Sequence, residues 1–493
     1  MLALMGFGSI SGGGDCHKLY VVISFSARYN SASAPNNYGG GTVRNKRMLV
    51  VCLLGLALGL IGLVAFAAGC GSTTTATTVA STETTAASTE TTAASTETTA
   101  ASTETTAAST ETTAGAVTFD GTITVGALGS LTGAGAMGGA EAVWAYNQAV
   151  KDINAAGGIN LGGKHMKLEL KWVDDQSDSA QGAAALEKLI KVDGTKIILS
   201  TQVTPINLAA CTVAEKYQAF YQMVVAWRDV IQGQHLKWVS DFFFTPAEVA
   251  EVPFNMVELQ PQADRPTKWA IFTEDDADGQ ALGGGVKAVM KAHGLTPTLY
   301  ETYTPGSKDY SSSILKMKNA GIDAIVTLIS PADGITFTKQ MKEQAFSPKF
   351  MMGWKGFWPT QYMQGLGADS NYVCYDAFWS EDLNNPGAKA LGEAYKADNK
   401  GVDSVSIGLF YANVQILAKA IENAGSTDPG AVRDAVFGHT FAGTVMGDVT
   451  YAADGTAKVV PMGNQWIDGK RVIIFPKANA TGDMKWFVAW DKR

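Results

Sequence analysis

Charge is scarce in this sequence. Asp, Glu, Lys and Arg make up 17% of the 493 residues, against roughly 25% in ordinary soluble domains. There is no basic surplus, since 38 Lys and Arg stand against 46 Asp and Glu, a net charge of −8. Such a balance does not neutralise phosphates, which argues against nucleic-acid binding. Cysteine is sparse and scattered, at 16, 52, 70, 211 and 374. No C-x-x-C pair and no Cys/His cluster occurs, so no structural zinc is expected. The His residues at 17, 165, 235, 293 and 439 show no ligand spacing, and His293 before Gly294 reads as a helix C-terminus. Also missing are the G-x4-G-K-[ST] phosphate loop, the HExxH helix and the G-x-S-x-G elbow. With no nucleophile, base and orienter in view, an enzyme is disfavoured and no cofactor is expected.

Apolar residues are plentiful, at 46%, and the chain divides into zones. Residues 44–47 read Arg-Asn-Lys-Arg, and an uncharged run from Met48 to Gly69 follows. A basic start, an apolar stretch and small residues before a cut site make a secretory signal over 43–69. The run is also long enough for a permanent transmembrane helix. Ala67-Ala68-Gly69-Cys70 resembles a bacterial lipobox, which implies lipidation of Cys70 and a chain anchored to the outside of a bacterial cell membrane. Residues 1–42 read as an over-extended gene start.

Residues 70–115 hold five copies of Ser-Thr-Glu-Thr-Thr-Ala-Ala, the last ending in Gly115. The period of seven is not a coiled coil, because no large apolar residue fills an a or d position. Thr, Ser, Ala and Glu bury too little surface to offset chain entropy, so the segment is expected to be a disordered tether. As a flexible coil it reaches roughly 35–40 Å.

From 116 onward, strand and helix patterns alternate. TITVGAL at 122–128, MKLELKWV at 166–173, KWAIFT at 268–273 and AIVTLI at 324–329 read as strands. Helical periodicity at 140–155, 180–192, 208–217, 279–293, 311–319 and 335–344 falls between strands. That alternation implies βαβ units with parallel sheets. The stretch is too long for one ordinary α/β sheet, so two lobes are expected.

Gly133-Ala-Gly135-Ala-Met-Gly138 satisfies G-x-G-x-x-G. The acid that should close the next strand about 20 residues on is displaced to Asp174-Asp175, so a dinucleotide is not expected. A glycine-rich turn at a helix start remains, with N–H groups open to a carboxylate. Asp174-Asp175 fits either a solvated turn or a metal site. Glu274-Asp275-Asp276 with Asp278 reads as a solvated acidic loop with one residue facing a ligand.

Four segments together resemble a known family: ITVGALGSLTGAGAMGG, VKDINAAGGINLGGKHMKLELKWVDDQSD, KDYSSSILKMKNAGIDAIV and VMGDVTYAADG. They are similar to the periplasmic branched-chain amino-acid-binding proteins of ABC transporters, over about 120–475. The resemblance implies an α/β type I periplasmic binding fold, two Rossmann-like lobes joined by three crossover strands. The crossings fall at about 241–247, 374–380 and 444–450. The lobes are then 116–244 with 377–447, and 245–376 with 448–493. It also implies a solute-binding lipoprotein that carries an amino acid or related carboxylate to an ABC permease, with no chemistry of its own. A ligand-sensing module of a membrane signalling system has the same fold.

Ligands of parallel sheets sit beyond the strands' carboxyl ends. By position in the family, Thr204, Val225 and Trp227 would hold a ligand carboxylate, with Ser200 a neighbouring hydroxyl. In the second lobe, the family's aromatic residue is Ser330 and its ammonium-binding acid falls on Lys355. With Trp354, Lys355 suggests an anionic group held on aromatic walls; Asp278 is the nearest alternative acid for an ammonium. Lys355 pointing to solvent and the tryptophans lying in the core fit the sequence as well. Cys211 and Cys374 are expected as free thiols.

Overall fold

The computed structural model describes residues 118–133 and 135–493. The signal segment, Cys70 and the repeats lie outside the described residues. The chain opens with β1 (Gly121–Gly129), α1 (Ala136–Ala155), β2 (Ile159–Leu161), β3 (Lys164–Asp174) and α2 (Ser179–Asp193). Next come β4 (Ile197–Leu199), α3 (Thr204–Tyr217), β5 (Phe220–Val224), α4 (Arg228–Gln234) and β6 (Val239–Phe243). All strands of this group but the short antiparallel β2 run parallel. β4, β5 and β6 are buried along their whole length. Helices cover both faces of a parallel sheet, and the burial takes in Gln222, Ser240 and Asp241 along with the apolar residues.

The second lobe begins with α5 (Pro246–Ala250) and α6 (Val252–Glu258), then β7 (Trp269–Glu274), α7 (Ala277–Ala292) and β8 (Leu299–Tyr303). It continues through α8 (Ser311–Asn319), β9 (Ala324–Ile329), α9 (Pro331–Glu343), β10 (Phe350–Lys355), α10 (Thr360–Leu366) and β11 (Cys374–Ala377). The chain then returns as α11 (Ala388–Asp398), α12 (Ile407–Ala424) and α13 (Pro429–Val436), followed by the hairpin β12 (Thr440–Thr444) and β13 (Gly447–Thr450). α12 packs on α1 and β5 of the first lobe. β14 (Thr456–Lys458), β15 (Met462–Ile467) and β16 (Lys470–Phe475) close the sheets.

The first sheet has the order β14-β6-β5-β4-β1-β3-β2 and the second β16-β15-β11-β10-β9-β7-β8. This is the two-lobed, mostly parallel α/β architecture expected. The last crossing differs from the sequence reading. Thr456, Ala457 and Lys458 pair with Asp241, Phe242 and Phe243, so β14 is still in the first lobe and the chain crosses between 458 and 462. The earlier position, 444–450, is the hairpin, and the second lobe's final segment therefore starts near 460, not at 448.

Local chemistry fixes the helix ends. Asp178 accepts from the N–H groups of Ala180 and Gln181 at the start of α2, and Gly194 ends it at φ 70°, a left-handed stop that glycine adopts without strain. Thr245 and Glu248 form a reciprocal capping box on α5, fixing the angle at which the chain enters the second lobe. Aromatic rings fill the junction between the lobes. Phe243 stacks on Phe244 at 3.9 Å between centroids, Phe378 meets them at 5.4 and 5.3 Å, and Trp358 meets Phe378 edge-on at 4.7 Å. Ion pairs flank this cluster: Glu248 binds Arg228 and Lys458, and Arg471 binds Asp403. Cys211 and Cys374 are buried free thiols. No helix among the described residues is long and apolar enough to cross a membrane.

Candidate functional site

Four adjacent strands of the second lobe end level with one another. Glu274 closes β7 opposite Tyr303 of β8, and Lys355 closes β10 opposite Ile329 of β9. Ser330 is the next residue. The side chains from these ends converge on the Glu274 carboxylate, which is fully buried. Its Oε2 accepts from Lys355 Nζ at 2.7 Å, and its Oε1 accepts from Tyr303 Oη at 3.3 Å and from Ser330 Oγ. Glu274 was read as part of a solvated acidic loop. It is instead a buried acceptor that receives a donor from each of its three neighbours.

This corrects the reading of Lys355 as an ammonium free to bind an anion. The side chain is 39% exposed but paired. Burial disfavours its charge, yet Glu274, with Asp278 and Asp276 behind it, outweighs that and holds its pKa above the ordinary value. Ser330 likewise spends its hydroxyl on Glu274. Of the loop acids, Asp275 accepts from Thr304 Oγ1 at 2.6 Å and Asp276 caps α7 through Gly279 N–H at 2.8 Å.

Asp278 lies in the first turn of α7 and is half-buried. Its Oδ1 accepts from Trp227 Nε1 at 3.0 Å, a bond that joins the lobes. Burial raises its pKa; the Trp227 bond and the Lys355 charge oppose the shift, and Asp276 and Glu274 add to it.

On the first lobe, α3 and α4 begin beyond β4 and β5. Helix starts leave N–H groups without intrahelical partners, donors suited to a carboxylate. Thr204 is the first residue of α3, and its Oγ1 donates to Val225 O at 3.4 Å. Trp227 caps α4. Asn207 Nδ2 donates to the carbonyls of Thr201, Val224 and Val225 at 3.1, 3.1 and 3.2 Å, binding the two loops together. Val225 has φ 61° and Lys355 φ 65°. A β-branched or long side chain seldom tolerates that region, and such strain gathers at ligand sites. Both stand at strand ends, one on each lobe.

Two expected residues are turned away. Ser200 is fully buried, and its hydroxyl accepts from Val224 N at 3.0 Å and donates to Val224 O at 3.4 Å. It bonds the sheet and has nothing left for a ligand. Trp354 is 3% exposed within the core, because neighbours on a strand face opposite sides and Lys355 takes the side toward Glu274.

The glycine-rich turn is closed by its own chain. Asp174 Oδ1 accepts from Leu131 N and Thr132 N at 3.0 and 3.2 Å, and Gly135 N donates to Ser177 Oγ at 2.9 Å. Asp175 is fully buried and accepts from Thr201 Oγ1 at 2.6 Å. Among the described residues, no three His, Cys, Asp or Glu side chains gather as metal ligands.

Comparisons with known proteins match this architecture. The sequence model of the periplasmic binding protein family matches residues 122–462. The chain is 28% identical over 352 residues to Leu/Ile/Val-binding protein homolog 3 of Brucella melitensis, covering 71% of this chain and 93% of that protein. It is 26% identical over 381 residues to Leu/Ile/Val-binding protein homolog 8 of Brucella abortus, covering 74% and 93%. Among solved structures, it resembles the branched-chain amino acid transporter substrate-binding protein of Streptococcus pneumoniae in complex with isoleucine. The TM-score is 0.63 at 21% identity, over 72% of this chain and 99% of that one. It also resembles a solute-binding protein of an ABC transporter from Rhodopseudomonas palustris in complex with 3,4-dihydroxy benzoic acid. There the TM-score is 0.62 at 17% identity, over 76% and 99%.

Proposed function

The chain belongs to the periplasmic binding protein family, and from that premise we propose that it captures an amino acid or related carboxylate between its lobes and hands it to an ABC importer. The observation that carries this reading is the complementary pair of walls joined by the Trp227–Asp278 bond. The first wall offers the Thr204 hydroxyl and the N–H groups at the start of α3, with Val225 and Trp227 beside them, to a carboxylate. The second offers Asp278 to an ammonium. Binding does the work here: a ligand that touches both walls favours the closed state in proportion to its differential affinity.

The protein acts outside the cytoplasm, tethered by Cys70 and the repeats of 70–115. The basic-apolar-cysteine order of 43–70 supports that placement. Replacing Cys70 with Ala should move the protein from the membrane fraction to the soluble fraction. The solute is tested by mass spectrometry of small molecules carried through purification, followed by calorimetric titration with amino acids and carboxylates. Delivery is tested by uptake of the identified solute in cells with and without the permease. If no amino acid or carboxylate binds, the reading is wrong.

A further inference from the structure

The charge at the second-lobe strand ends is arranged in an unusual way. Glu274 contributes a full carboxylate with no exposed surface. It is fixed by donors from three strand ends, Tyr303, Ser330 and Lys355. Turning it outward would strip all three of their acceptor, so the ion pair with Lys355 is part of the fold. The Lys355 ammonium still has N–H groups to offer, but its pair with Glu274 carries no net charge. Asp278 stands beside the pair with one oxygen, Oδ1, engaged by Trp227. Counted together, Glu274, Lys355 and Asp278 leave this wall with an acidic balance.

We propose that Glu274 determines the charge class of the ligand. By binding Lys355 it takes that cation out of service and leaves Asp278 as the group a ligand's charge meets. A solute with one carboxylate and one ammonium is thereby selected over a solute with two carboxylates. This inference rests on the solute-binding reading above. A second carboxylate placed against this wall would lie next to two acids and a lysine already paired, and an incompletely compensated charge in a closed crevice is unfavourable. An ammonium there finds Asp278.

The test uses the folded protein and Glu274→Gln, which preserves shape and an acceptor for Tyr303 and Ser330 while freeing Lys355. Leucine, valine and alanine are titrated against succinate and glutarate. The wild type should bind its best monocarboxylic amino acid at least tenfold tighter than any of the second group. Glu274→Gln should improve binding of the second group at least tenfold. Dicarboxylates bound as tightly as amino acids by the wild type, or unchanged by Glu274→Gln, would overturn the inference. A wild type that binds neither group overturns the solute reading and the selectivity with it, so the two failures are told apart.

A ligand-free measurement checks the pair itself. Denaturation midpoints of Glu274→Gln, Lys355→Met and the double variant form a cycle. Lys355→Met alone should be the least stable, since it strands a buried carboxylate, and the double variant should recover part of the loss. Additive effects would overturn the pairing. Should Lys355→Met fail to fold, folding of the double variant shows the coupling, since additive effects would leave it less stable still, and failure of the double variant as well would overturn the pairing.

Discussion

Trp227 and Asp278 reach each other from opposite lobes, indole N–H to carboxylate, at 3.0 Å. The indole also packs on Phe243 and Phe244, with centroids 6.0 Å away in each case. A single side chain therefore touches both the aromatic junction and the second lobe. Trp227→Phe keeps the packing and removes the donor. Hydrogen bonds to charged groups contribute about 1.5–3 kcal/mol, so ligand affinity should fall roughly 10- to 100-fold. Calorimetric titration measures it, and an unaltered dissociation constant would show that the bond contributes nothing to closure.

Acidification should weaken amino-acid binding. Burial raises the Asp278 pKa in the free protein, and a protonated Asp278 no longer attracts an ammonium. Affinity should therefore drop as pH falls through that raised value, with proton release on binding near it. Asp278→Asn should bind weakly and lose this pH dependence. The same slope in the variant would place the titrating group elsewhere.

A second pH effect concerns stability alone. His293 caps α7, with Nδ1 2.9 Å from Glu258 and Nε2 2.9 Å from Glu251. Burial disfavours its charge, but the two glutamates outweigh it and raise its pKa. A raised histidine pKa stabilises the fold fully below the ordinary value of about 6.5, and the gain is lost as pH rises through the folded-state value. The melting temperature of the wild type should fall relative to that of His293→Gln between pH 5.5 and 8.5. Parallel curves would refute the assignment.

Gly279 lies where α7 meets the end of β7. A Cβ there would stand 2.0 Å from the Glu274 carbonyl oxygen. Gly279→Ala must push the helix start away from the strand, which for overpacking costs about 1–3 kcal/mol. Because Asp278 and Glu274 flank the contact, ligand affinity should fall along with the urea midpoint. Unchanged stability would mean that the helix start yields freely.

The strands β7 and β9 were legible because apolar residues fill them but for Thr273, Glu274 and Thr327, and their spacing by helices implied parallel sheets. β14 was not. Its three residues, Thr456-Ala457-Lys458, carry no pattern, and only pairing with β6 reveals them. The crossing inferred from the family resemblance, at 444–450, fell on the β12–β13 hairpin instead. At the site, Thr204, Val225 and Trp227 came from the family resemblance, by their places after strands, and Asp278 as the nearest acid of the second lobe; the proposed function keeps these four. Glu274 was misread because its partners are 29, 56 and 81 positions away, while its sequence neighbours are exposed aspartates. The orientation of Trp354 was available in principle: residues adjacent on a strand cannot both face one crevice.

The placement of β14 also governs the order of assembly. The first sheet's edge is completed by a segment near the far end of the chain; Gln232 of the first lobe bonds to Thr456, 224 positions later. Pairing across such a distance is slow, since loop closure precedes any reward from contact. A chain emerging from the ribosome exposes β6 without its neighbour until nearly all of the second lobe has been made. The first lobe therefore stays unfinished through most of synthesis, until residues 456–458 arrive beside β6.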